Sequence, residues 1–115
     1  MMKALSLVAL CAAWSLFVAE TATAQSGMAS VYSYAGGKTA SGERSHPGAL
    51  TAAHRSFPLG SKVRVTNRRN GRAVVVRIND RGPFIGGRII DVTPAAAHQL
   101  GFSGVASVSV EKLGR

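Results

Sequence analysis

The run KVRVTNRRNGRAVVVRIN, Lys62 to Asn79, constrains this chain more than any other stretch. Its first part, Lys62–Asn67, alternates apolar and polar residues with period two, the pattern of a half-buried strand. Asn70-Gly71 then supplies a strong hairpin-turn signal. Ala73–Asn79 is β-branched and nearly continuous, which predicts a strand covered on both faces. A two-stranded hairpin is marginal in water on its own, so a chain built around this one must supply further strands.

Those strands can be read. Met28–Tyr34 and Val105–Leu113 also alternate, and Ala49–His54 and Arg88–Asp91 are short strand candidates. One helix is predicted over Thr93–Gly101, with Thr93 as N-cap, Pro94 at the first helical position and Gly101 as the stop. Short strands, one small helix, Gly-rich turns and no internal repeat read as an all-β chain forming a small β-barrel. No linker and no second domain is visible.

The N-terminus is set apart from this fold. Met1–Lys3 is a short positive start, Ala4–Ala19 is apolar, and Ala22 and Ala24 are the small residues of a cleavage site. The pattern predicts a secretory signal peptide over residues 1–24 and a domain over 25–115. The apolar run is shorter than the roughly 20 residues a spanning helix needs, so no stable membrane insertion is expected. Cys11, the one cysteine, follows Leu10, a poor match to the small residue that a lipoprotein-processing enzyme expects. The expectation is an exported, monomeric protein of the periplasm or cell envelope without a lipid anchor.

The remaining chain of about 90 residues has no cysteine, so its own core must hold it, by burying roughly two thirds of its extended surface. Thiol nucleophiles and cysteine metal sites are excluded. The whole chain carries 14 Lys and Arg against five acids, net +9, and loss of Lys3 and Glu20 leaves that balance unchanged. Such a charge implies polyanionic surroundings. An export signal argues against nucleic acid and for anionic polymers or carboxylate-bearing glycan, with plain solubility as the alternative.

Only four carboxylates then remain to be assigned. Glu111 has Lys112 beside it and reads as part of a solvated pair. Asp91 closes the Arg88–Asp91 candidate near the helix entrance, where its plain role is to accept from backbone amides. Glu43 lies in the loop GGKTASGERSHPG and could simply be exposed. Asp80 follows a buried-type strand between Arg77 and Arg81, and turn chemistry and catalysis are both open for it. His54 could be an acid, a base, a hydrogen-bond donor to substrate or a satisfied core residue; His46 reads as loop and His98 as helix surface. The histidine spacings match no zinc signature, and no metal or cofactor is predicted.

Taken together, TASGE, LTAAHRSFPLGSKVRVTNRRNGRAVVVRINDRGPF and GRIIDVTPAAAHQLG closely resemble the rare lipoprotein A family of exported proteins. The resemblance spans Gly27 to about Leu113. It implies a six-stranded double-psi β-barrel, shared with expansins and certain inverting cellulases, and a relation to lytic transglycosylases that cleave peptidoglycan. It also implicates Glu43, His54 and Asp80 as the active-site set, with Asp91 at a further position that is the key acid in expansin-like relatives. Val31 stands where the family's aromatic motif has Trp, leaving Tyr32 and Tyr34 as candidate sugar contacts. Arg81 and Arg88 are candidates to meet the lactyl carboxylate of muramic acid.

The chemistry implied is cleavage of the bond from N-acetylmuramic acid to N-acetylglucosamine. It needs a proton on the leaving oxygen and stabilisation of an oxocarbenium-like centre. Attack by the muramic 6-hydroxyl then leaves a 1,6-anhydro end, and one carboxyl group, here Asp80, can act first as acid and then as base. The partner expected is a peptidoglycan glycan strand. A non-catalytic, expansin-like wall binder and a general polyanion binder are the alternatives.

Overall fold

The computed structural model describes residues 24–32 and 36–114; all but the last residue of the signal peptide expected over 1–24, and Tyr34, lie outside the described residues. Six strands close a barrel: β1 Ala24–Val31, β2 Thr51–His54, β3 Lys62–Asn67, β4 Ala73–Asp80, β5 Arg88–Val92 and β6 Val105–Lys112. Their order around it is β1-β5-β2-β4-β3-β6, returning to β1. The β1–β5 and β2–β4 pairs are parallel and the other four antiparallel.

Alternation governs which residues fill the barrel. On β3 Val63 and Val65 are buried, on β4 Val74, Val76 and Ile78, on β6 Ala106, Val108 and Val110. Ala29, Ala52, Ile90 and Val92 join them in one cluster. The expectation that β4 is covered on both faces is corrected here: Val75 is 40% exposed, and the strand alternates like β3. Its run of β-branched residues reflects fit to a pleated surface, not two-sided burial.

The hairpin forms with a longer turn than Asn70-Gly71 suggests. Asn67 N–H donates to Arg72 O, and Gly71, at φ 77°, closes the loop by donating to Asn67 O. No described non-glycine residue has positive φ, which rules out the two-residue turn that needs it at both positions. Asn70 is used elsewhere: its Nδ2, like that of Asn67, donates to Leu100 O at the helix end, 3.0 Å in each case.

That helix, α1, spans Pro94–Leu100 and buries Ala96, Ala97 and Leu100 in the core cluster. Thr93 caps it, accepting from Ala96 N, and Gly101 ends it in the left-handed region at φ 76°. The β1 strand starts earlier than its alternation suggests. Ala24–Gly27 pair with Val108–Glu111 of β6, so a cut after Ala24 would remove only the first residue of the strand. Glu111 is bonded across the sheet to Arg64 at 2.9 Å, both half-exposed, in place of the sequence neighbour Lys112.

Candidate active site

Two register shifts aim the acids. On β2, Ala52 pairs with Ile78 and the next residue, Ala53, with Asp80, so Asn79 is skipped. Ile78 and Ala52 face the core; the shift turns Asp80 to the other face with Ala53. Without it Asn79 would take the outward place and Asp80 would point into apolar packing. On β5, Ile89 is skipped in the same way, and Asp91 pairs with Ser30 of β1 and with Ala53 of β2.

Ser30, Asp91, Ala53 and Asp80 therefore form one row across four strands. Asp80 and Asp91 are two strand spacings apart, about 10 Å between Cα atoms, with only the Ala53 methyl between them in the ladder. Asp91 accepts from the Ser30 hydroxyl. It does not take the amide-capping role open to it in the sequence, which Thr93 performs.

Asp80 is held through both oxygens. Its Oδ1 accepts from the backbone N–H of Ala40 at 3.0 Å and of Arg81 at 2.9 Å. Its Oδ2 accepts from the Tyr32 hydroxyl, at the end of β1. The two kinds of partner differ in what they permit. An amide can only donate, whereas a hydroxyl can donate to a carboxylate or accept from a carboxylic acid. A proton on Asp80 is thus confined to Oδ2.

Glu43 does not sit on a loose loop. Residues 36–45 form a small hairpin, with Gly36 N–H to Ser45 O, Thr39 N–H to Glu43 O and a Lys38–Arg44 bridge. Ser41 N–H donates to Asn79 O and docks the hairpin on the end of β4. Glu43 then takes both arms of the Arg77 guanidinium, at 2.6 and 3.2 Å. Those bonds, with a further one from Asn79, hold its carboxyl below the usual range. The arginines flanking Asp80 are thus spoken for, and neither side chain bonds it.

His54 lies on the barrel side of β2. It pairs with Ile90, a core residue, and is only 3% exposed. Ser56 and Phe57 N–H groups donate to its Nδ1 at 3.1 and 3.0 Å, so the proton is on Nε2, which donates to Gln25 Oε1 at 3.2 Å. The ring stacks on Phe57 with centroids 3.8 Å apart. Burial, aided by the nearby Arg55 and Arg81 cations, pushes its pKa down to about 4. The segment it folds holds Arg81 in turn: Arg81 Nη1 donates to His54 O at 3.2 Å and Phe57 O at 2.7 Å. Both hydrogens of that nitrogen are then used, while the guanidinium also carries Nε and Nη2 donors.

The geometry brings Asp80, Tyr32 and Asp91 to one face, docks Glu43 beside the end of β4, and puts His54 and Arg81 in the support behind it. Arg88 pairs with Met28 at the start of β5, and its carbonyl accepts from Arg55. Ser30, bonded to Asp91, and Asn79, bonded to Glu43, join the candidate site without having been singled out in the sequence. Ser30 had no signal, and Asn79 only its adjacency to Asp80. Among the described residues no group of three His, Cys, Asp or Glu side chains could hold a metal ion, and no helix is long and apolar enough to cross a membrane.

Residues 24–111 match the family described as "Lytic transglycolase". The chain belongs to this family. It is 61% identical over 95 residues to the "Probable endolytic peptidoglycan transglycosylase RlpA" of Nostoc sp., covering 77% of this chain and 26% of that protein. Against the "Endolytic peptidoglycan transglycosylase RlpA" of Neisseria meningitidis serogroup A, identity is 54% over 93 residues, 77% of this chain and 39% of the relative. The chain thus spans well under half the length of these curated relatives. Among solved structures, a Streptomyces papain inhibitor superposes with TM-score 0.64 at 21% identity, over 81% of this chain and 96% of the inhibitor. An expansin of Clavibacter michiganensis superposes with TM-score 0.63 at 21% identity, over 79% of this chain and 50% of the expansin. At such identity these two show the barrel fold alone.

Proposed function

We propose that this member of the lytic transglycolase family is an exported endolytic peptidoglycan transglycosylase, cutting the bond from N-acetylmuramic acid to N-acetylglucosamine. The names of its relatives support the substrate, and the sequence of residues 1–24 supports export to the periplasm or cell envelope without stable membrane insertion.

The observation that carries the reading is the hold on Asp80, an outward carboxyl whose one free protonation site faces a hydroxyl. Protonated on Oδ2, Asp80 gives its proton to the leaving oxygen as the C1–O4 bond breaks. The muramic 6-hydroxyl then attacks C1, forms the C1–O6 bond and returns its proton to Asp80. Between the two transfers the Tyr32 hydroxyl donates to Oδ2 and holds the carboxylate. Asp91, with Ser30 behind it, supplies a second negative charge along the row for the oxocarbenium-like centre. Glu43, kept ionised by Arg77, orients the hairpin that delivers the Ala40 amide, and His54 and Arg81 fix the segment behind Asp80.

Digestion of denuded and intact peptidoglycan with the mature protein, with ends read by mass spectrometry, tests this. The expected products carry 1,6-anhydro ends, and Asp80→Asn abolishes them while still binding glycan. Cosedimentation with peptidoglycan and no new ends from the unaltered protein would overturn the catalytic reading in favour of a wall binder.

A further inference from the structure

We propose that Phe84 is a stacking platform for a pyranose ring of the strand cut at Asp80, an inference that rests on the glycan-cleaving reading above. Among the described aromatics, Tyr32 is bonded to Asp80, Phe57 is stacked on His54, and Phe102 packs on the core. Phe84 alone is exposed, at 77%, and its neighbour Ile85 is 56% exposed. Solvent-facing apolar side chains side by side beside a catalytic group mark a binding surface.

The ring has a defined place. A Cβ built on Gly82 would come within 3.7 Å of it, so one edge of the Phe84 ring lies over the Gly82 backbone. Gly82 is two residues from Asp80, at most about 7 Å away between Cα atoms. An occupant of the ring would be beside the reacting bond, within the reach of a neighbouring sugar.

The loop that presents the ring is anchored at both ends. Arg81, before it, is fixed to the carbonyls of His54 and Phe57. After it, Arg88 N–H donates to Ile85 O and Met28 N–H to Gly87 O, while Gly82 and Pro83 are buried beneath it. A loop backbone anchored so presents the ring, with its apolar surface open, at a defined place before a ligand arrives. The polarised C–H groups on one side of a pyranose suit the negative face of an aromatic ring. The charged and hydroxyl groups of the Asp80 row engage polar substituents, and Phe84 supplies the apolar contact that this row lacks.

The test uses the mature chain carrying Asp80→Asn, so that strands are bound and not consumed, and measures cosedimentation with denuded peptidoglycan. Adding Phe84→Ala is expected to weaken binding by about three- to tenfold. Phe84→Tyr retains affinity and Phe84→Leu does not, which separates stacking from simple apolar contact. In the protein with Asp80 intact, Phe84→Ala raises KM and leaves kcat little changed.

Equal affinity of the Phe84→Ala and parent proteins, or rescue by Leu, overturns the proposal. So does a parent that pellets with no glycan, or a Phe84→Ala effect confined to self-association in sedimentation velocity. Failure of the enzymatic reading is distinct: the unaltered protein makes no anhydro ends, yet binding still depends on an aromatic ring at position 84.

Discussion

Acidification should strip stability from this fold through one buried ring. His54 is neutral in the folded chain, with a pKa lowered from 6.5 to about 4, chiefly by burial. The sign follows from proton counting: between those two values the unfolded chain binds a proton that the folded chain refuses. Stability is therefore fully present above about pH 6.5 and falls as pH drops toward 4. Going from about pH 7 to about pH 5, the loss from this residue alone is about 1.5–2 kcal/mol. For a domain this small that is a large part of the total. Urea unfolding followed by circular dichroism reads it as a midpoint lowered by roughly 1–2 M at the lower pH, for a slope near 1 kcal/mol/M.

The comparison protein is His54→Asn, whose side-chain oxygen can take the place of Nδ1 and accept the Ser56 and Phe57 amides without titrating. It is expected to be less stable at neutral pH and to lack this part of the pH dependence. His46 and His98 are present in both proteins and cancel in the difference. Parallel stability curves for the two proteins between pH 5 and 7 would refute the reasoning, because His54 would then titrate alike in the folded and unfolded chains.

Tyr32→Phe removes the hydroxyl partner of Asp80 Oδ2 and should lower kcat about tenfold or more, a hydrogen bond to a charged group being worth about 1.5–3 kcal/mol. Its thermal unfolding should stay close to that of the parent, and an unchanged kcat would remove Tyr32 from the proton path. Gly101→Ala forces a side chain into the left-handed region, at about 1–2 kcal/mol, and onto the Arg72 guanidinium, whose Nη1 lies 2.6 Å from the new Cβ. A melting temperature lowered by several degrees checks this, with catalysis at low temperature retained.

Local chemistry made part of this molecule readable in advance. Thr93, Pro94 and Gly101 bracket the helix because caps depend on neighbours in the chain; period-two alternation located β1, β3 and β6, and a run of β-branched residues located β4. Asp80 and Asp91 could be named from their motifs, yet their orientation could not be derived. It depends on one-residue shifts at Asn79 and Ile89, which arise only when distant strands pair. His54 was ambiguous for a related reason: what decides its state are the Ser56 and Phe57 amides folding back on it and Gln25 arriving from β1. The reach of Tyr32 to Asp80 joins residues 48 positions apart, and no period or propensity encodes it.

The pairing of β1 with β6 has a consequence for how this barrel comes into being. The first strand finds one of its two neighbours in the last, and β3 also needs β6 to cover its free edge. Contacts so distant along the chain make folding slow, because loop closure precedes the stabilisation it brings. A chain ending before Val105 leaves two unpaired edges, both open to association with other chains. Whatever the chain does before its last strand is available, this topology delays closure until β6 can pair with β1 and β3.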